Sequence, residues 1–218
     1  ILIMNNKNKK QHSIVHYKDS KIHNVGKFIK NLYYAIDLEN SKIYIYTINN
    51  VKYNLINTIN LNKSDKPRHM VSYKNHIYIV CENTSKIINF EYINNEFKAK
   101  QELTTLNTNE DIFNMASAIR RFKNYIFVSN RGENTITIYK INKSGNIKKI
   151  NYFYVKGKTP RDFNIIKNGK YIIVGNEDTN EVLTFKINYK KNVISYIDKI
   201  MIEKPVCIEK WGKIWKQK

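Results

Sequence analysis

Short runs of β-branched and aromatic residues, separated by polar turns, recur along this chain of 218 residues. The clearest unit is FKNYIFVSNRGENTITIYKI, at Phe122–Ile141. Its first arm is an apolar run, its turn contains Asn and Gly, and its second arm alternates between apolar and polar residues. Alternation with a period of two is typical of a β-strand, and Asn and Gly favour reversal of the backbone. The unit therefore predicts a β-hairpin.

The same hairpin pattern occurs four times along the chain. The residues that open the second arms are Ile43, Ile87, Ile136 and Val182, which lie 44, 49 and 46 positions apart. Strand repeats of this length are typical of β-propellers, in which each repeat forms one four-stranded blade. No long segment combines helix-capping signals with an apolar stripe of helical period. We therefore predict an all-β fold, a β-propeller of four-stranded antiparallel blades.

The strands and turns divide this predicted single domain into consecutive repeats. Pro67, Pro160 and Pro205 stand where inner strands are expected to begin, since the first residue of a strand need not donate to the ladder. Residues 1–10 have no periodicity and are expected to be disordered or a truncated end. The predicted repeats are 11–62, 63–108, 114–156, 157–203 and the start of another at 204–218, with His12–Asp19 and Pro205–Trp211 as predicted strands.

The charge of the chain is strongly basic, with 38 Lys and Arg against 18 Asp and Glu. A basic surface attracts nucleic-acid backbones, which makes a nucleic-acid binder one hypothesis, with a steep salt dependence as its signature. The lysines are scattered, however, and the abundance of Lys, Asn, Ile and Tyr is typical of AT-biased coding. Nucleic-acid binders instead gather their basic residues into a patch. We predict no nucleic-acid partner.

Other features of the composition indicate the cellular compartment in which the protein is expected. No apolar stretch approaches the roughly 18 residues of a membrane span, and the apolar start is too short for a secretory core. The two cysteines, Cys81 and Cys207, form neither a disulfide framework nor a pattern of metal ligands. We therefore expect a cytoplasmic protein with no membrane partner, no metal and no cofactor.

Arginine is rare in this chain, and each arginine falls in a repeat motif: Arg68, Arg120, Arg121, Arg131 and Arg161. A guanidinium offers a planar fork of donors that an ammonium cannot imitate, and this fork suits carboxylates and phosphates. Since Arg120 and Arg121 are adjacent on a strand, their side chains are expected on opposite faces. The arginines mark the places where anion recognition is expected.

Blade geometry predicts that several polar residues share one rim. The start of an inner strand and the end of the next strand lie side by side, because the two strands run antiparallel. The residues at such positions are His12, Arg68 and Arg161 at strand starts, and Glu82, Arg131 and Glu177 at strand ends. Together they would form an anion-binding and acid–base site.

Structural alternatives remain open for the same residues. In one alternative, the Glu–Arg pairs have a purely structural role and hold neighbouring blades together. In another, His12 and His69 are ordinary hydrogen-bonded strand residues. Asn130 and Asn176 could be turn formers.

Seven stretches of the chain resemble one known family: QHSI at Gln11–Ile14, KPRHMV at Lys66–Val71, YIVCEN at Tyr78–Asn83, FVSNRGENTI at Phe127–Ile136, KTPRDFNI at Lys158–Ile165, GKYIIVGNEDTNEV at Gly169–Val182 and PVCIE at Pro205–Glu209. The family is that of the seven-bladed lactonase propellers, which includes propeller-type 6-phosphogluconolactonases and is related to carboxy-cis,cis-muconate cyclase. The resemblance implies that the chain is an incomplete portion, about four to five blades, of a seven-bladed ring.

The same resemblance implies an activity and its residues. The implied reaction is metal-independent hydrolysis of a sugar-acid lactone, first of all 6-phosphoglucono-1,5-lactone, in the oxidative pentose phosphate route or a parallel one. The family's His, Arg, Glu and Arg would fall on the catalytic candidates His12, Arg68, Glu82 and Arg131. The further candidates for substrate contacts are His69, Asn130, Arg161 and Glu177.

The chain departs from the family pattern in three respects. Cys81 stands where the family usually has Asn, and Glu177 stands where many members have Gln. The N-terminal blades are also missing, so that the expected partner, besides an anionic sugar lactone, is those blades or a second chain that completes the ring. The alternatives to a hydrolase are cyclase chemistry, a non-catalytic propeller that binds a ligand or a protein, and an inactive fragment.

Overall fold

The computed structural model describes residues 2–4, 11–14, 19–29, 31–49 and 52–209. In these residues every regular element is a β-strand. Four sheets contain four antiparallel strands each, in the order of the chain, and we call them the first to fourth blades. This is the arrangement that the hairpin repeats predict.

The bounds of the sixteen blade strands follow the sequence repeats. The first blade contains β3 (Ile22–Lys27), β4 (Leu32–Asp37), β5 (Lys42–Asn49) and β6 (Lys52–Asn60). The second contains β7 (Pro67–Tyr73), β8 (His76–Cys81), β9 (Lys86–Ile93) and β10 (Glu96–Thr104). The third contains β11 (Met115–Phe122), β12 (Tyr125–Arg131), β13 (Thr135–Ile141) and β14 (Ile147–Tyr154). The fourth contains β15 (Pro160–Ile166), β16 (Tyr171–Asn176), β17 (Glu181–Asn188) and β18 (Val193–Met201).

The beginning of the chain differs from the prediction. Leu2–Met4 forms strand β1, which pairs antiparallel with β2 at Gln11–Ile14, so residues 2–4 are not irregular. Strand β2 pairs with β1, whereas the inner strand of the first blade is β3, which pairs with β4. The prediction that the strand at His12–Asp19 opens the first blade is therefore wrong. Residues 15–18 and the side chain of His12 lie outside the described residues.

The turn between the second and third strands is built in the same way in all four blades. Ser41, Ser85, Asn134 and Asn180 occupy the last turn position, with φ between 50° and 56°. This left-handed conformation is uncommon for residues other than Gly, and Asn adopts it more readily than most. In three blades the carbonyl of this residue accepts the N–H that follows the fourth strand, at 2.9–3.0 Å. In these three blades the turn thus extends the hydrogen bonding between the third and fourth strands by one bond.

The chain divides into two compact units, Ile1–Thr104 with Lys143–Asn146, and Thr105–Asn142 with Ile147–Lys218. The first unit has a core of isoleucines from the central strands, among them Ile36, Ile43 and Ile79. The second has a core with larger side chains, including the fully buried Phe127 and Phe163. Burying a side chain of this size stabilises the fold by about 1.5–3 kcal/mol. The number of domains stays a prediction.

The predicted strand at Pro205–Trp211 is not present in its described part, which ends at Glu209. Its backbone is instead held by side chains of β15. The N–H of Ile208 donates to Asp162 Oδ2 at 2.9 Å, and the carbonyl of Ile208 accepts from Asn164 Nδ2 at 3.1 Å. Because these polar side chains take the hydrogen bonds of the Ile208 N–H and carbonyl, the segment lies along β15 without joining a ladder.

One connection is longer than its counterparts. Residues 105–114 join β10 to β11, whereas residues 61–66 and 155–159 make the equivalent connections to β7 and β15. The extra residues account for the longest sequence spacing between hairpins. The connection passes close to Gly132, where a Cβ atom would lie 2.2 Å from the carbonyl oxygen of Phe113. Gly132 also has a φ of 140°.

We expect Gly132→Ala to destabilise the protein by about 1–3 kcal/mol, because the added methyl group meets backbone and the φ is strained for any L-residue with a side chain. Urea unfolding followed by circular dichroism measures the loss. Gly175→Ala is the matched control, since its Cβ would lie 3.1 Å or more from its neighbours and its φ is not left-handed. Equal losses for the two variants would contradict this account of Gly132.

Candidate functional site

The register of each blade places the start of its first strand beside the end of its second. Pro67 pairs with Cys81 in the second blade, and Pro160 pairs with Asn176 in the fourth. Arg68 and Arg161 are therefore the second residues of equivalent strands, and Glu82 and Glu177 directly follow equivalent strand ends. Within each of these blades, the Arg and the Glu lie on the same rim.

In the second blade these two residues form a buried ion pair. Arg68 Nε lies 2.9 Å from Glu82 Oε2, and the two side chains are only 5% and 15% exposed. The backbone N–H of Glu82 donates to the carbonyl of Lys66 at 2.9 Å, which fixes the start of the Glu82 side chain. With little water near them, the two charges interact more strongly than an exposed pair would.

The fourth blade repeats this pair in a more open form. Arg161 Nη1 lies 2.9 Å from Glu177 Oε2, and the side chains are 36% and 21% exposed. The N–H of Glu177 donates to the carbonyl of Thr159 at 3.0 Å, as Glu82 does to Lys66. Both pairs join two strands of one blade, so the alternative that they fasten neighbouring blades is wrong for these two pairs.

One histidine of the first unit lies beside Arg68, and a second histidine lies beside the first. The Nδ1 atom of His69 is 3.4 Å from Arg68 Nη1, and the ring of His69 meets the ring of His23 edge-on, with the centroids 4.9 Å apart. Four ionisable side chains, His23, His69, Arg68 and Glu82, are thus contiguous. Their functional groups are one carboxylate, one guanidinium and two imidazoles.

Sequence reasoning missed His23, because it took His12 as the residue of the first inner strand. Ile22 pairs with Asp37 as Pro67 pairs with Cys81, so His23 is the counterpart of Arg68. The spacing could have revealed it, since 68 − 23 = 45 equals the spacing from Pro160 to Pro205, 205 − 160 = 45. A catalytic role for His12 stays a prediction, but the inner-strand position assigned to it is wrong.

Arg131 ends strand β12, at the position that Glu82 and Glu177 occupy in their blades. Its Nε donates to the carbonyl of Met115 at 3.3 Å, and its side chain is half-buried. The counterpart of Arg68 in this blade is Ser117, which donates to the carbonyl of Arg161 at 2.5 Å. Arg131 belongs to the second unit and Arg68 to the first, so a site that contains both arginines stays a prediction.

Asn130 is a structural residue within strand β12. It is fully buried, its Nδ2 donates to the carbonyl of Thr105 at 2.9 Å, and its Oδ1 accepts from Thr105 Oγ1 at 2.7 Å. The amide is thus engaged within the blade, and the predicted substrate contact of Asn130 stays a prediction. The alternative that Asn130 and Asn176 form turns is wrong, because both are buried residues of strands.

The side chains of the two adjacent arginines lie in different environments, as expected for opposite faces of a strand. Arg121 is exposed, whereas Arg120 Nη2 lies 2.7 Å from Asp162 Oδ1 and links the third blade to the fourth. Asp162 also accepts the N–H groups of Phe163 and Ile208, each at 2.9 Å. Burial raises the pKa of the Asp162 carboxyl, although the guanidinium of Arg120 and the two N–H groups oppose this shift.

Other features bear on the chemistry of the site. Among the described residues, no group of three or more His, Cys, Asp or Glu side chains is placed to hold a metal ion, and no helix is long and apolar enough to cross a membrane. Both cysteines are free, and burial raises the pKa of the Cys81 thiol, which makes it a poor nucleophile.

A cavity of about 190 Å³ lies between the third and fourth blades. Tyr125 and Lys140, which belong to its wall, stand at the ends of β12 and β13 away from Arg131. This cavity is therefore not part of the predicted rim.

The four equivalent sheets and their equivalent rim positions define a β-propeller. Residues 5–210 match the family described as "Lactonase, 7-bladed beta-propeller", and the chain belongs to this family. Both the predicted fold class and the resemblance are thereby confirmed. The described residues contain four complete blades of the seven that the family has.

Curated relatives include a 6-phosphogluconolactonase of Formosa agariphila, 27% identical over 177 residues, which cover 76% of this chain and 50% of the relative. A 6-phosphogluconolactonase of Bacillus subtilis is 22% identical over 187 residues, 82% of this chain and 54% of the relative. The chain spans about half the length of the curated relatives it matches.

Solved structures support the fold. A Lactobacillus plantarum protein matches 94% of this chain and 66% of its own, with a TM-score of 0.86 and 21% identity. The periplasmic gluconolactonase PpgL of Pseudomonas aeruginosa matches 94% of this chain and 63% of its own, with a TM-score of 0.83 and 15% identity.

The raised pKa of Asp162 predicts a specific dependence of stability on pH. The folded protein holds this proton more tightly than the unfolded chain, whose Asp pKa is about 3.9, so stability falls as the pH rises from that value through the raised pKa. Asp162→Asn removes the titration. We expect the free energy of unfolding of the unsubstituted protein to decline relative to this variant as the pH rises from about 4.

Urea unfolding at closely spaced pH values measures this difference. Arg120→Met is the companion variant, because loss of the guanidinium raises the pKa of Asp162 further and widens the pH range of the decline. A difference between Asp162→Asn and the unsubstituted protein that stays constant over this range would contradict the prediction.

Proposed function

We propose that this protein hydrolyses a sugar-acid lactone, with 6-phosphoglucono-1,5-lactone as the first candidate substrate. Membership of the lactonase family supports the reaction class. The candidate substrate rests on the names of the relatives from Formosa agariphila and Bacillus subtilis.

The observation that carries the proposal is the buried ion pair of Arg68 and Glu82, with His69 beside Arg68 and His23 beside His69. Lactone hydrolysis needs a base for the attacking water, a positive group for the oxyanion of the tetrahedral intermediate, and an acid for the ring oxygen that leaves. The cluster contains a carboxylate, a guanidinium and two imidazoles that could take these three roles. The chain can therefore supply this chemistry from its own side chains.

In the proposed mechanism Glu82 takes a proton from water as the oxygen of that water attacks the lactone carbonyl. Arg68 stabilises the oxyanion that forms. An imidazolium of His69 or His23 donates its proton to the ring oxygen when the C–O bond breaks, and the proton held by Glu82 restores the imidazolium. The product is the open sugar acid, and all groups return to their starting state.

The anionic group of the substrate needs a cationic partner of its own, because Arg68 is assigned to the oxyanion. Arg131 and Arg161, which are at least partly exposed at the rims of their own blades, stay the candidates predicted from the sequence. A guanidinium binds phosphate in a bidentate manner, and the net charge of +20 would attract an anionic substrate. The remaining blades of the ring, from the same polypeptide or a second chain, would complete the site.

Replacing Glu82 by Gln should lower kcat/KM for 6-phosphogluconolactone by roughly 10²-fold or more, because the amide cannot accept the proton of the attacking water. The measurement is the rate of hydrolysis above the spontaneous rate, with circular dichroism to show that the variant folds. Arg68→Gln should show a comparable loss, since it removes the group that stabilises the oxyanion.

Glu96→Gln serves as the matched control. Glu96 is an exposed carboxylate at the opposite end of the same blade, where it begins β10, and its replacement should leave turnover unchanged. Unchanged turnover in a folded Glu82→Gln variant would refute the proposed role of Glu82. If the unsubstituted protein shows no hydrolysis, a non-catalytic binding module becomes the better hypothesis.

A further inference from the structure

Three turns of the second unit meet at the ends of the third and fourth blades that lie away from Arg131. They join β11 to β12, β15 to β16 and β17 to β18, at residues 123–124, 167–170 and 189–192, and we call them the basic turns. The ring of Tyr189 lies 6.0 Å from that of Phe122 and 4.9 Å from that of Tyr125, measured between centroids. The hydroxyl of Tyr189 donates to the carbonyl of Gly169 at 2.9 Å. These contacts bring the three turns together.

The basic turns carry lysines and no carboxylate. Their lysines, all exposed, are Lys123, Lys167, Lys170, Lys190 and Lys191. No Asp or Glu occurs in residues 118–132, 163–176 or 182–197, which contain these turns. The described part of the second unit has ten Asp and Glu residues, and all of them lie outside these stretches. AT-biased coding adds lysines throughout a chain, but it does not sort carboxylates away from one end of two blades. The turns therefore form a positive patch that attracts anions.

The cavity of about 190 Å³ between these two blades lies beside the basic turns and within the same unit. Its wall contains apolar side chains of both blades, such as Ile138 and Ile187, and the half-buried rings of Tyr125 and Tyr189. A cavity of about 150 Å³ is large enough to bind benzene, so this one has room for a flat ring system. Burial, followed by the neighbouring Tyr125, raises the pKa of Tyr189 to about 12, and its hydroxyl stays neutral.

One lysine belongs to the wall itself, and two others adjoin it. Lys140 lines the cavity, and Lys190 and Lys191 directly follow the wall residue Tyr189 in the chain. The backbone N–H groups of Lys190 and Lys191 both donate to Asn188 Oδ1, at 3.1 Å, which fixes the turn at the edge of the cavity. A ring held in the cavity would thus carry a charged substituent to these lysines.

We propose that the cavity and the basic turns form a binding site for a nucleoside phosphate, with the base in the cavity and the phosphates on the lysines. The tyrosine rings offer an aromatic surface to the base. Several lysines suit a group with several negative charges better than a single carboxylate. Because the cavity has room for one ring system, a free nucleotide fits it better than a strand of nucleic acid. The site lies away from Arg131 and does not rest on the proposed lactone hydrolysis.

Titration calorimetry with the full chain tests the two parts of the site with ATP, tripolyphosphate and adenosine. We expect ATP to bind roughly tenfold more tightly than tripolyphosphate or adenosine, because ATP alone uses the cavity and the lysines together. Val193, a half-exposed wall residue on β18, gives a variant that fills the cavity. Val193→Trp should lower the affinity for ATP to that for tripolyphosphate and leave the affinity for tripolyphosphate unchanged.

A second pair of variants tests the lysines. Lys140→Glu combined with Lys190→Glu should weaken the binding of ATP and of tripolyphosphate by about tenfold or more, because it removes charged hydrogen-bond donors and adds repulsion. Lys158→Glu combined with Lys204→Glu is the matched control, since it changes the net charge equally at exposed positions of the same unit outside the basic turns. Its effect should be much smaller. Circular dichroism shows that each variant folds.

Four outcomes would overturn the inference. They are the absence of ATP binding at millimolar concentration, equal affinities for ATP and tripolyphosphate with no effect of Val193→Trp, equal weakening by the two lysine pairs, and much tighter binding of a single-stranded oligonucleotide than of ATP. The second and third outcomes would mean that the basic charge alone attracts anions. The fourth would assign the patch to nucleic acid instead of a free nucleotide. None of these outcomes bears on lactone hydrolysis.

Discussion

The rest of the structure depends on the antiparallel register between the first two strands of each blade. Ile22 pairs with Asp37, Pro67 with Cys81, Ala116 with Asn130 and Pro160 with Asn176. This register fixes two adjacent rim positions in every blade, one just inside the first strand and one just after the second. Because ladder hydrogen bonds set these positions, their side chains can change while the backbone geometry stays the same.

The chemistry of the rim arises from substitutions at these fixed positions. The first position holds His23, Arg68, Ser117 and Arg161 in the four blades, and the second holds Leu38, Glu82, Arg131 and Glu177. Equivalent residues differ in environment: the Arg68–Glu82 pair is almost buried, whereas the Arg161–Glu177 pair is partly exposed. An ion pair that water reaches contributes little to stability.

Departures from the repeat are as informative as the repeat itself. Glu133 lies in the turn after the second strand of the third blade, and there its carboxylate anchors the long connection that carries Phe113. Asp162, on the inner strand of the fourth blade, binds Arg120 and the backbone of Ile208 instead of facing solvent. Both carboxylates hold chain segments in place, a role that depends on contacts distant in sequence.

The local sequence pattern was sufficient to predict the hairpins, the repeat length and the prolines that begin β7 and β15. It was also sufficient to predict the Arg–Glu positions of the second and fourth blades. These features depend on alternation, turn residues and ladder bonding, which are visible in a single repeat. Only the tertiary structure could show that Asn130 is buried, that Pro205–Glu209 joins no ladder, and that the rings of His23 and His69 are in contact. Each of these outcomes depends on which distant group satisfies a backbone or side-chain polar atom, and sequence spacing does not record that choice.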